Sequence, residues 1–515
     1  MFAPAFFAGL LHAQISGTLL DPAERPVAGA RITCAGRSTL SGVDGRFEIS
    51  GADRCAARIE AGGFATLRAD LENGRAATLR LALASLSERV VVSATRLETT
   101  VEEAGVAATL VEAAELERRQ YPFVLDLLRE IPGLHVARFG RQGAATQVFA
   151  RGSQRTGTLL MIDGVPVNDP GGDLNFAHLM SSAVERVEVV RGPESALFGA
   201  EASAAVIQLF TRQGDPERKV PRGSLFYERG SFQTDRWAAS LAGGSGARLD
   251  YSLNSEQFHT VGEFPNDHYR NTTGSASLGY RLGPATRVRA LLRSFDSTVG
   301  VPNRVAYRIF DFDAQRRNRD YTASLRLDDA RGQRYSQRIS GLFHRLRDTF
   351  DDQIRDGPYT VAGLVTGASR VTLVELIDPR RLPLAPAEIP PGTRLVTRSG
   401  IRLAPSPSLS VTSREGFEYQ GTLAHANGAA VFGYEYERQS GRVSGLNVDR
   451  GNQGAFAHKQ HTFADRLFVS GGARVERSSV FGAKLAPRAA ASLRLREGTF
   501  LRFSAGRGIT EPSLL

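Results

Sequence analysis

The second half of the chain, from about residue 223 onward, alternates apolar and polar positions over short segments. In SASLGYRL the two sets of side chains point to opposite faces: Ala276, Leu278, Tyr280 and Leu282 against Ser275, Ser277, Gly279 and Arg281. YTASLRLD, RLFVSGGARVE, AAASLRLR and FLRFSAG repeat this pattern. Because successive side chains of a β-strand face opposite ways, each segment predicts a strand with one apolar face. About a dozen segments of roughly ten residues suit strands that cross a membrane at a tilt.

Two kinds of architecture remove the apolar face of such strands from water. A large sandwich or a propeller would bury it in a soluble core, but propeller repeats of about 40–50 residues are not visible. A transmembrane barrel turns it toward lipid and satisfies every backbone donor by closing. Aromatic residues on the strands suit the bilayer interface: Phe226, Tyr227, Trp237, Tyr251, Tyr280 and Tyr434. Residues 295–318 and 351–413 indicate extended loops. The pattern favours the barrel.

Residues 15–86 show short alternating strands separated by turn residues. Asp21-Pro22, Val43-Asp44-Gly45 and Gly62-Gly63 supply the turns. This pattern predicts a small all-β sandwich. Cys34 and Cys55 are the only two cysteines, and the sequence leaves a disulfide and two buried thiols equally open.

Between residues 99 and 215 helical and strand patterns are mixed. YPFVLDLLREIPG predicts a helix, since Val124, Leu127, Leu128 and Ile131 form one apolar face and Pro132-Gly133 ends it. Pro122 suits its first turn. Strands are predicted at residues 146–150, 159–162, 184–190 and 205–211. These elements indicate a compact α/β domain of ordinary size.

Composition excludes some classes of function. The formal net charge is +10, but the arginines are spread thinly and no nucleic-acid motif occurs, so a nucleic-acid partner is not predicted. Residues 1–14, MFAPAFFAGLLHAQ, resemble a signal-peptide remnant, and an ordinary buried segment is the alternative. No later stretch has the roughly 18–20 uncharged apolar residues of a membrane helix.

The sequence lacks the motifs of common enzymes. G-x-S-x-G, a phosphate loop and H-E-x-x-H are all missing. His458 and His461 occur in HKQH, but their odd spacing puts them on opposite faces of a strand, so they are not predicted to bind a metal together. We therefore predict no enzymatic activity and keep a secreted β-rich hydrolase only as a distant alternative.

Several motifs resemble known families. ISGTLLDP, RPVAGARI and GVDGRFEI resemble the carboxypeptidase regulatory-like domain, an accessory module whose name implies no peptidase activity. VFARGSQRTGTLLMIDGVPVND and VERVEVVRGPESALFGAEASAAVIQLFTR resemble the plug domain of TonB-dependent outer-membrane receptors. That resemblance extends back through VVVSATR and VLDLLREIPGLHV, and forward to GYEYE and FSAGRGITEPSLL.

The resemblance implies a mainly β protein in five parts. They are a signal-peptide remnant (1–14), a regulatory-like β-sandwich (15–86), a TonB-box-like linker (87–98), a small α/β plug domain (99–215) and a transmembrane antiparallel β-barrel (220–515). The family barrel has 22 strands, the class whose lumen is plugged. About a dozen are visible here, so the C-terminal strands of the barrel are expected to be missing.

The resemblance also implies a function in the outer membrane, with the N-terminal domain in the periplasm. The expected activity is active uptake of a scarce ligand such as a ferric siderophore, cobalamin or a related metal chelate, with a slight lean toward cobalamin. A passive porin-type channel is the alternative, although a porin has no use for a plug.

One segment of the linker resembles the TonB box. Its residues are Glu88, Arg89, Val90, Val91, Val92, Ser93 and Ala94. An extended β-branched segment can add a strand to the sheet edge of a partner. The partner implied is TonB of the inner-membrane energising complex. An edge strand or plain linker is the simpler explanation of the same residues.

The loop of residues 165–175 lies, by resemblance, at the outward apex of the plug, where the ligand is first met. Its candidate ligand-binding residues are Asn168, Asp169, Asp173 and Asn175. Carboxylates and amides can bind a polar ligand or a hard cation such as calcium. Asx turns are the competing explanation. No resident cofactor and no other metal is predicted.

Charged plug residues are expected to latch the plug to the barrel wall. The candidates are Arg151, Glu185, Arg186, Glu188 and Arg191, together with Glu194. A buried charge left without its partner is strongly destabilising, so such pairs would hold the plug in place.

Overall fold

The computed structural model describes residues 14–512, apart from residues 23, 35–36, 51–53, 62–63, 65–66, 75, 82–89, 92–95, 98, 102, 306–308, 333, 367–371, 378–380, 426, 465 and 497. The chain divides into two compact units, Met1–Val90 and Val91–Leu515. Of the predicted signal-peptide remnant, residues 1–13 lie outside the described residues.

The first unit is a small β-sandwich, as the alternation predicts. Its strands are β1 (Gln14–Leu20), β2 (Arg31–Cys34), β3 (Arg37–Leu40), β4 (Arg46–Ser50), β5 (Arg54–Glu60), β6 (Leu67–Glu72) and β7 (Ala77–Arg80). They form two sheets, ordered β4-β1-β7 and β3-β2-β5-β6, around one apolar core. A disulfide joins Cys34 to Cys55, whose Cα atoms lie 5.9 Å apart, so the thiol alternative does not apply.

The second unit contains an α/β domain, called the plug below. Short strands β8 (Val90–Val91) and β9 (Thr99–Thr100) precede it in the sequence. Its elements are β10 (Ala107–Glu112), α1 (Ala113–Arg119), α2 (Val124–Leu128), β11 (Leu134–Arg138), β12 (Thr146–Ala150), β13 (Thr158–Ile162), β14 (Val165–Pro166), β15 (Val184–Arg191), α3 (Ser195–Phe198) and β16 (Ala205–Thr211). A sheet ordered β10-β15-β16-β13-β14 forms its centre, and β13 pairs with β16 in parallel.

The predicted plug strands are present, but the predicted helix is shorter than expected. Phe123 is extended and forms a β-bridge with Met180, so the helix begins only at Val124 and Pro122 precedes it. After Leu128 the chain continues in tighter turns that reach Ile131. Backbone pairing with a segment that is distant in the sequence therefore overrides the helical pattern at its start.

The rest of the second unit is almost entirely β. Its strands are β17 (Arg222–Gly230), β18 (Thr234–Ser245), β19 (Leu249–Thr260), β20 (Tyr269–Arg281), β21 (Thr286–Gly300), β22 (Gln315–Arg331), β23 (Tyr335–Asp351), β24 (Asp356–Thr366), β25 (Thr372–Leu376), β26 (Thr393–Leu403), β27 (Ser408–His425), β28 (Gly428–Val443), β29 (Leu446–Phe463), β30 (Leu467–Ser478), β31 (Gly482–Arg496) and β32 (Thr499–Gly506). In the described part of the chain, thirteen of them form one sheet, called the wall, in which each strand pairs antiparallel with the next one in sequence and β24–β26 are skipped.

The wall has one apolar face and one face turned toward the plug, which confirms the predicted alternation. On β20, Leu278 and Tyr280 are 52% and 42% exposed, while Ser277 is 4% exposed. On β30, Val475 is 54% exposed and the neighbouring Arg474 is 4% exposed. Lipid-facing barrel strands show this apolar-out, polar-in arrangement.

The two long connections leave the wall at the same end. They follow β21 and β23, whereas the opposite end of the wall has short turns such as residues 282–285. The stretch 351–413, predicted to be an extended loop, carries its own sheet ordered β25-β24-β26. Ala362, Leu364 and Ile377 bury one another there, and this small core orders a segment whose prolines indicate only irregular structure.

Membrane-spanning helices are not found. Of the helices formed by the described residues, none has the length and apolar character needed to cross a bilayer.

Candidate functional site

The plug packs against the inner face of the wall. Phe123, Leu125 and Met180 of the plug form an apolar cluster with Phe258, Tyr269 and Val299 of β19–β21. Plug contacts also reach β31, where Glu194 pairs with Arg488. Because one small domain touches strands this far apart in the sheet, the wall curves around the plug.

A cavity of about 250 Å³ lies between the plug and the wall, and we call it the apex cavity. The plug contributes Arg155, Asp169, Asp173, Asn175 and His178, and the wall contributes Arg293, Phe295, Arg316, Asn318, Asp320 and Asp348, among others. These wall residues lie on the parts of β21–β23 nearest the long connections. Three of the four predicted ligand-binding residues, Asp169, Asp173 and Asn175, therefore line one cavity.

The plug side of the apex cavity is shaped by a tight turn. The backbone N–H of Asp169 donates to the carbonyl of Asp173, and that of Gly172 donates to the carbonyl of Asp169, both at 2.8 Å. Gly171 and Gly172 have φ of 89° and 86°, in the left-handed region that favours glycine. The turn holds both carboxylates at the edge of the cavity, and Asp173 lies 3.3 Å from Arg155.

Asp169 is the least satisfied of the carboxylates that line the apex cavity. Its Oδ1 is buried and has no hydrogen-bond partner among the described residues. Burial, with added repulsion from Asp173, Asp348 and Asp320, raises the pKa of Asp169 to about 7. On the wall, Asn318 Oδ1 is likewise buried without a described partner. The apex cavity therefore presents two hydrogen-bond acceptors that a bound molecule could satisfy.

The other charged groups of the apex cavity are paired. Arg316 binds Asp348 through two nitrogens, at 2.9 and 2.7 Å, and Arg293 lies 3.3 Å from Asp320. His178 is buried, and burial together with nearby Arg316 lowers its pKa to about 3, so its ring is neutral.

Asn168 and Asn175 have structural roles in this arrangement. Asn168 is 1% exposed; its Nδ2 donates to the carbonyls of Thr158 and Gly172, and its Oδ1 accepts from the N–H of Leu160. The prediction that Asn168 meets a ligand is therefore wrong for this structure, because its amide is used by the plug backbone. Asn175 caps the short helix Phe176–His178, and its Nδ2 lies 3.2 Å from His178 Nε2.

Buried ion pairs join the plug to the wall away from the apex cavity, and we call them the latch. Arg414 of β27 contacts both oxygens of Glu201, at 2.7 and 3.1 Å, and donates to the carbonyl of Asn168. Arg488 of β31 lies 3.1 Å from Glu194. Each of these charged side chains is less than 9% exposed.

Most of the predicted latch residues do not form the latch. Arg191 donates to the carbonyls of Ala107 and Pro132 and to Thr109, all within the plug. Arg186 pairs with Glu188 of its own strand and lies over the ring of Phe210. Arg151 and Glu185 are exposed. Arg191 and Arg186 are therefore used within the plug, Arg151 and Glu185 are exposed, and these latch assignments are corrected. Glu194, of the wider set, is the residue for which the described part of the chain shows a partner on the wall.

Glu201 and Arg96 are latch residues that the sequence does not single out. Arg96 forms ion pairs with Glu418 and Glu435 of the wall. Its guanidinium also lies 4.7 Å from the ring centre of Phe198 and 4.5 Å from that of Phe456. Its position two residues after the predicted TonB box is the only signal that could have drawn attention to it.

The predicted TonB box is only partly described. Val90 and Val91 form β8, whereas Glu88, Arg89, Val92, Ser93 and Ala94 lie outside the described residues. The assignment of these seven residues stays a prediction.

In the described part of the chain, a group of acidic residues whose spacing could hold a cation lies away from the apex cavity. Carboxylate oxygens of Asp311, Asp313 and Asp356 lie within 4.8 Å of one another, in the long connections. Burial and the neighbouring Asp311 raise the pKa of Asp356 to about 6. The predicted apex pair, Asp169 and Asp173, does not belong to this group. His458 faces the plug side at 2% exposure and His461 the opposite face, as their spacing predicts.

A sheet of membrane-length strands curved around an α/β domain defines the class of plugged barrels. Comparison with protein families identifies the family within this class. Residues 100–206 match the TonB-dependent Receptor Plug Domain model, and residues 291–515 match the TonB dependent receptor-like, beta-barrel model. The chain belongs to the TonB-dependent receptor family, whose members are outer-membrane β-barrels.

Curated relatives match over part of their length. The chain is 34% identical over 167 residues to the Vitamin B12 transporter BtuB of Vibrio vulnificus strain CMCP6, which is 31% of this chain and 28% of that protein. The match to the protein of the same name in strain YJ016 is 32% over 155 residues, 30% of this chain and 25% of that protein. The aligned segment thus spans less than a third of these relatives.

Solved structures share the fold at low sequence identity. The siderophore receptor PirA from Acinetobacter baumannii matches with a TM-score of 0.57 and 13% identity, covering 76% of this chain and 59% of that one. The ferripyoverdine receptor of the outer membrane of Pseudomonas aeruginosa matches with a TM-score of 0.58 and 14% identity, covering 84% and 64%. These likenesses establish the architecture of plug and wall.

Proposed function

We propose that the protein is a TonB-dependent outer-membrane receptor for active uptake of a metal chelate, either a corrinoid or a ferric siderophore. One observation carries the proposal. An α/β plug fills the concave side of a wall of membrane-length strands and leaves a polar cavity on the side of the long connections. Outer-membrane barrels place their long connections outside the cell, so the apex cavity faces incoming ligand.

The size of the apex cavity limits what enters it. Sites for whole small molecules measure about 300–1,000 Å³, and the apex cavity measures about 250 Å³. We infer that it receives one projecting group of a larger chelate. Asp169 and Asn318 each offer an unused acceptor, so that group carries hydrogen-bond donors, such as amide N–H groups.

The order of candidate ligands follows from the relatives. The curated relatives named above are vitamin B12 transporters, and cobalamin carries peripheral amides. Cobalamin is therefore the first ligand to test, with ferric siderophores second. The family is one of transporters, and we propose no enzymatic activity for the chain.

Energy for uptake is proposed to come from TonB through residues 88–94. Val91 lies in the short strand β8, and an extended strand can pair with the sheet edge of a partner. Force applied to β8 would act on the nearby contact with the wall, since Arg96 forms ion pairs with Glu418 and Glu435.

The proposal is tested by uptake in cells that lack their own cobalamin receptor. Labelled cyanocobalamin should accumulate with the intact chain and an energised inner membrane. Val91→Pro should abolish accumulation and leave surface binding intact, because proline removes a backbone donor from the strand. Val43→Pro, an exposed turn position of the first unit, is the control.

Two results would redirect the proposal. Accumulation that persists without TonB or without an energised membrane would favour the passive channel. Failure to find the chain in outer-membrane fractions would exclude the receptor function and leave the secreted hydrolase as the remaining candidate. The periplasmic position of the first unit stands as a proposal that protease protection in intact cells can test. Its likeness to a regulatory-like domain also stays a proposal.

A further inference from the structure

The lipid-facing side of the wall carries a group of arginines near the long connections. We call it the outward arginine cluster: Arg317 and Arg319 on β22, and Arg345 and Arg347 on β23. They share the face of Tyr321, which is 54% exposed, because side chains an even number of residues apart lie on one face of a strand. The intervening residues, such as Asp320 and His344, are buried on the plug side.

The strand register brings these like charges together. Arg319 lies directly opposite Arg347, and Arg345 lies opposite Tyr321. Directly opposed like charges destabilise a sheet unless an anion lies between them. Asp296 pairs with Arg317 and Arg319, at 2.6 and 3.1 Å. Among the described residues no carboxylate pairs with Arg345 or Arg347, and both are exposed, so the cluster of four arginines keeps an excess of positive charge.

An apolar groove adjoins the outward arginine cluster. It has a volume of about 690 Å³, and its lining includes Leu292, Ala323 and Phe343 together with the small residues Gly274 and Ala276. Tyr321 also lines it and stands opposite Arg345, so the groove and the cluster meet. The groove lies on the face that meets hydrocarbon and toward the middle of the strands.

A molecule that fits both features has an acyl chain and an anionic headgroup. Guanidinium groups bind phosphate through two parallel hydrogen bonds, and opposed arginines place two guanidinium groups on one anion. A free anion would leave the groove unused, and an apolar protein surface would leave the charges unpaired. We propose that the outward arginine cluster binds the phosphate of a phosphorylated lipid whose acyl chain lies in the adjoining groove.

The proposed lipid site is independent of the cargo. The outward arginine cluster faces away from the apex cavity, and the proposal requires only that this side of the wall meets lipid. The lipid belongs to the leaflet on the side of the long connections, which is the outer leaflet in outer-membrane barrels. If the lipid site is disproved, the proposed uptake function still stands. If the uptake function is disproved, the lipid site still stands.

The test measures lipid binding to the full chain purified in a phosphate-free maltoside detergent. The probe is diphosphorylated lipid A, with its dephosphorylated form as the lipid without charge, and bound lipid is counted by native mass spectrometry. Arg345→Ser/Arg347→Ser should weaken binding of diphosphorylated lipid A about 30-fold, since each arginine near a charged lipid surface contributes about 1 kcal/mol. The dephosphorylated form should bind weakly to both proteins.

A matched control removes two charges from the outward face of the wall, on other strands but at the same end of the wall. Arg438→Ser/Arg477→Ser changes exposed arginines of β28 and β30, and Arg438 already pairs with Asp449 at 3.0 Å. This variant should bind lipid A as the unchanged protein does. Equal weakening in both double variants would overturn the proposal, because it would show only general attraction to charge.

Two further results would also overturn the lipid site. Equal binding of the phosphorylated and dephosphorylated lipids would remove the role of the arginines. Displacement of lipid A by inorganic phosphate at equal concentration would show an anion site that does not use the groove. Urea unfolding in detergent, measured on the same samples, should not change in the cluster variant and confirms that the protein is folded whatever its cargo.

Discussion

The latch and the apex cavity are both buried polar regions between the plug and the wall, yet they differ in how their groups are satisfied. In the latch, Arg414 contacts Glu201 through two nitrogens and also reaches Glu437 and the carbonyl of Asn168. In the apex cavity, Asp169 Oδ1 and Asn318 Oδ1 have no described partner. The charges of the latch are therefore paired with one another, although Arg414 Nε and Glu194 Oε2 are also buried without a described hydrogen-bond partner. Asp169, by contrast, forms no ion pair with any described residue.

This difference separates holding the plug from recognising a ligand. Leaving a buried acceptor unsatisfied costs about 1–3 kcal/mol, so the apex cavity is not built for stability. A ligand that supplies the missing donors recovers that free energy on binding. The latch offers a bound molecule less of this gain, because its charged groups are already paired with each other. The four predictions below test this contrast.

The largest expected effect is on stability, from breaking the latch. Arg414→Met leaves the carboxylate of Glu201 buried without its partner, and we expect a loss of about 3–5 kcal/mol in the free energy of unfolding. Urea unfolding in detergent measures it, with protease sensitivity of the plug as a second readout. Arg438→Met is matched in geometry, since Arg438 also binds Asp449 through two nitrogens, but that pair is exposed. The control should lose at most about 1 kcal/mol, and equal losses would contradict a stabilising latch.

The next effect concerns the backbone beside the latch. Gly199 has φ of 81°, and a Cβ there would lie 3.0 Å from Glu476 Oε2. Gly164, in the turn between β13 and β14, has φ of 87° but open space around its Cβ position. Gly164→Ala should cost about 1–2 kcal/mol from the left-handed backbone alone, and Gly199→Ala about 1 kcal/mol more, since it also crowds a carboxylate. Thermal unfolding compares the two variants. A smaller loss of stability in Gly199→Ala than in Gly164→Ala would show that the side chains around Gly199 rearrange to accept the added methyl group.

The sequence predicts the elements of the fold better than the contacts between them. Strand alternation in YTASLRLD is a local property, and it correctly places Tyr321 and Leu325 on the exposed face and Thr322 inside. The plug strand β12 is predicted to the residue, because it is short and bounded by turns. The helix at Val124–Leu128 is overestimated, since the bridge between Phe123 and Met180 depends on a segment far along the chain.

The latch shows why the site is harder to predict than the fold. Arg414 and Arg488 lie more than 200 residues after their partners Glu201 and Glu194. In VERVEVVRGPES several charged residues look equivalent, and only the path of the chain decides that Glu194 meets the wall while Arg191 turns back to Thr109. The loop composition draws attention to Asp169, which lines the apex cavity, but it does not show that the amide of Asn168 is saturated by the plug backbone.

The third prediction tests the apex cavity through ligand affinity. Asp169→Asn keeps the size of the side chain and removes the charge of the unsatisfied acceptor. We expect cyanocobalamin, or the ferric siderophore that proves to be bound, to bind about tenfold more weakly, because a hydrogen bond to a charged group contributes about 1.5–3 kcal/mol. Asp126→Asn on α2 is the control, since Asp126 belongs to the plug but does not line the apex cavity. Unchanged affinity in Asp169→Asn would mean that the cavity does not contact the ligand.

The smallest effect is the pH dependence of the same affinity. The pKa of Asp169 is about 7, so its carboxylate loses its charge as the pH falls from 8 to 6. We expect about fivefold weaker binding at pH 6 than at pH 8, and no such change in Asp169→Asn. His178 does not contribute in this range, because its pKa is about 3.

Loosening of the plug cannot explain this loss of affinity through Asp169. A carboxyl group with a raised pKa in the folded protein stabilises the fold most at low pH, and this contribution declines as the pH rises through about 7. Its effects on stability and on ligand affinity therefore run in opposite directions between pH 6 and pH 8. Titration of cyanocobalamin binding and urea unfolding of the same protein over this range separates the two. If both fall together toward pH 6 in the unchanged protein and in Asp169→Asn alike, another group is responsible and Asp169 is not the acceptor.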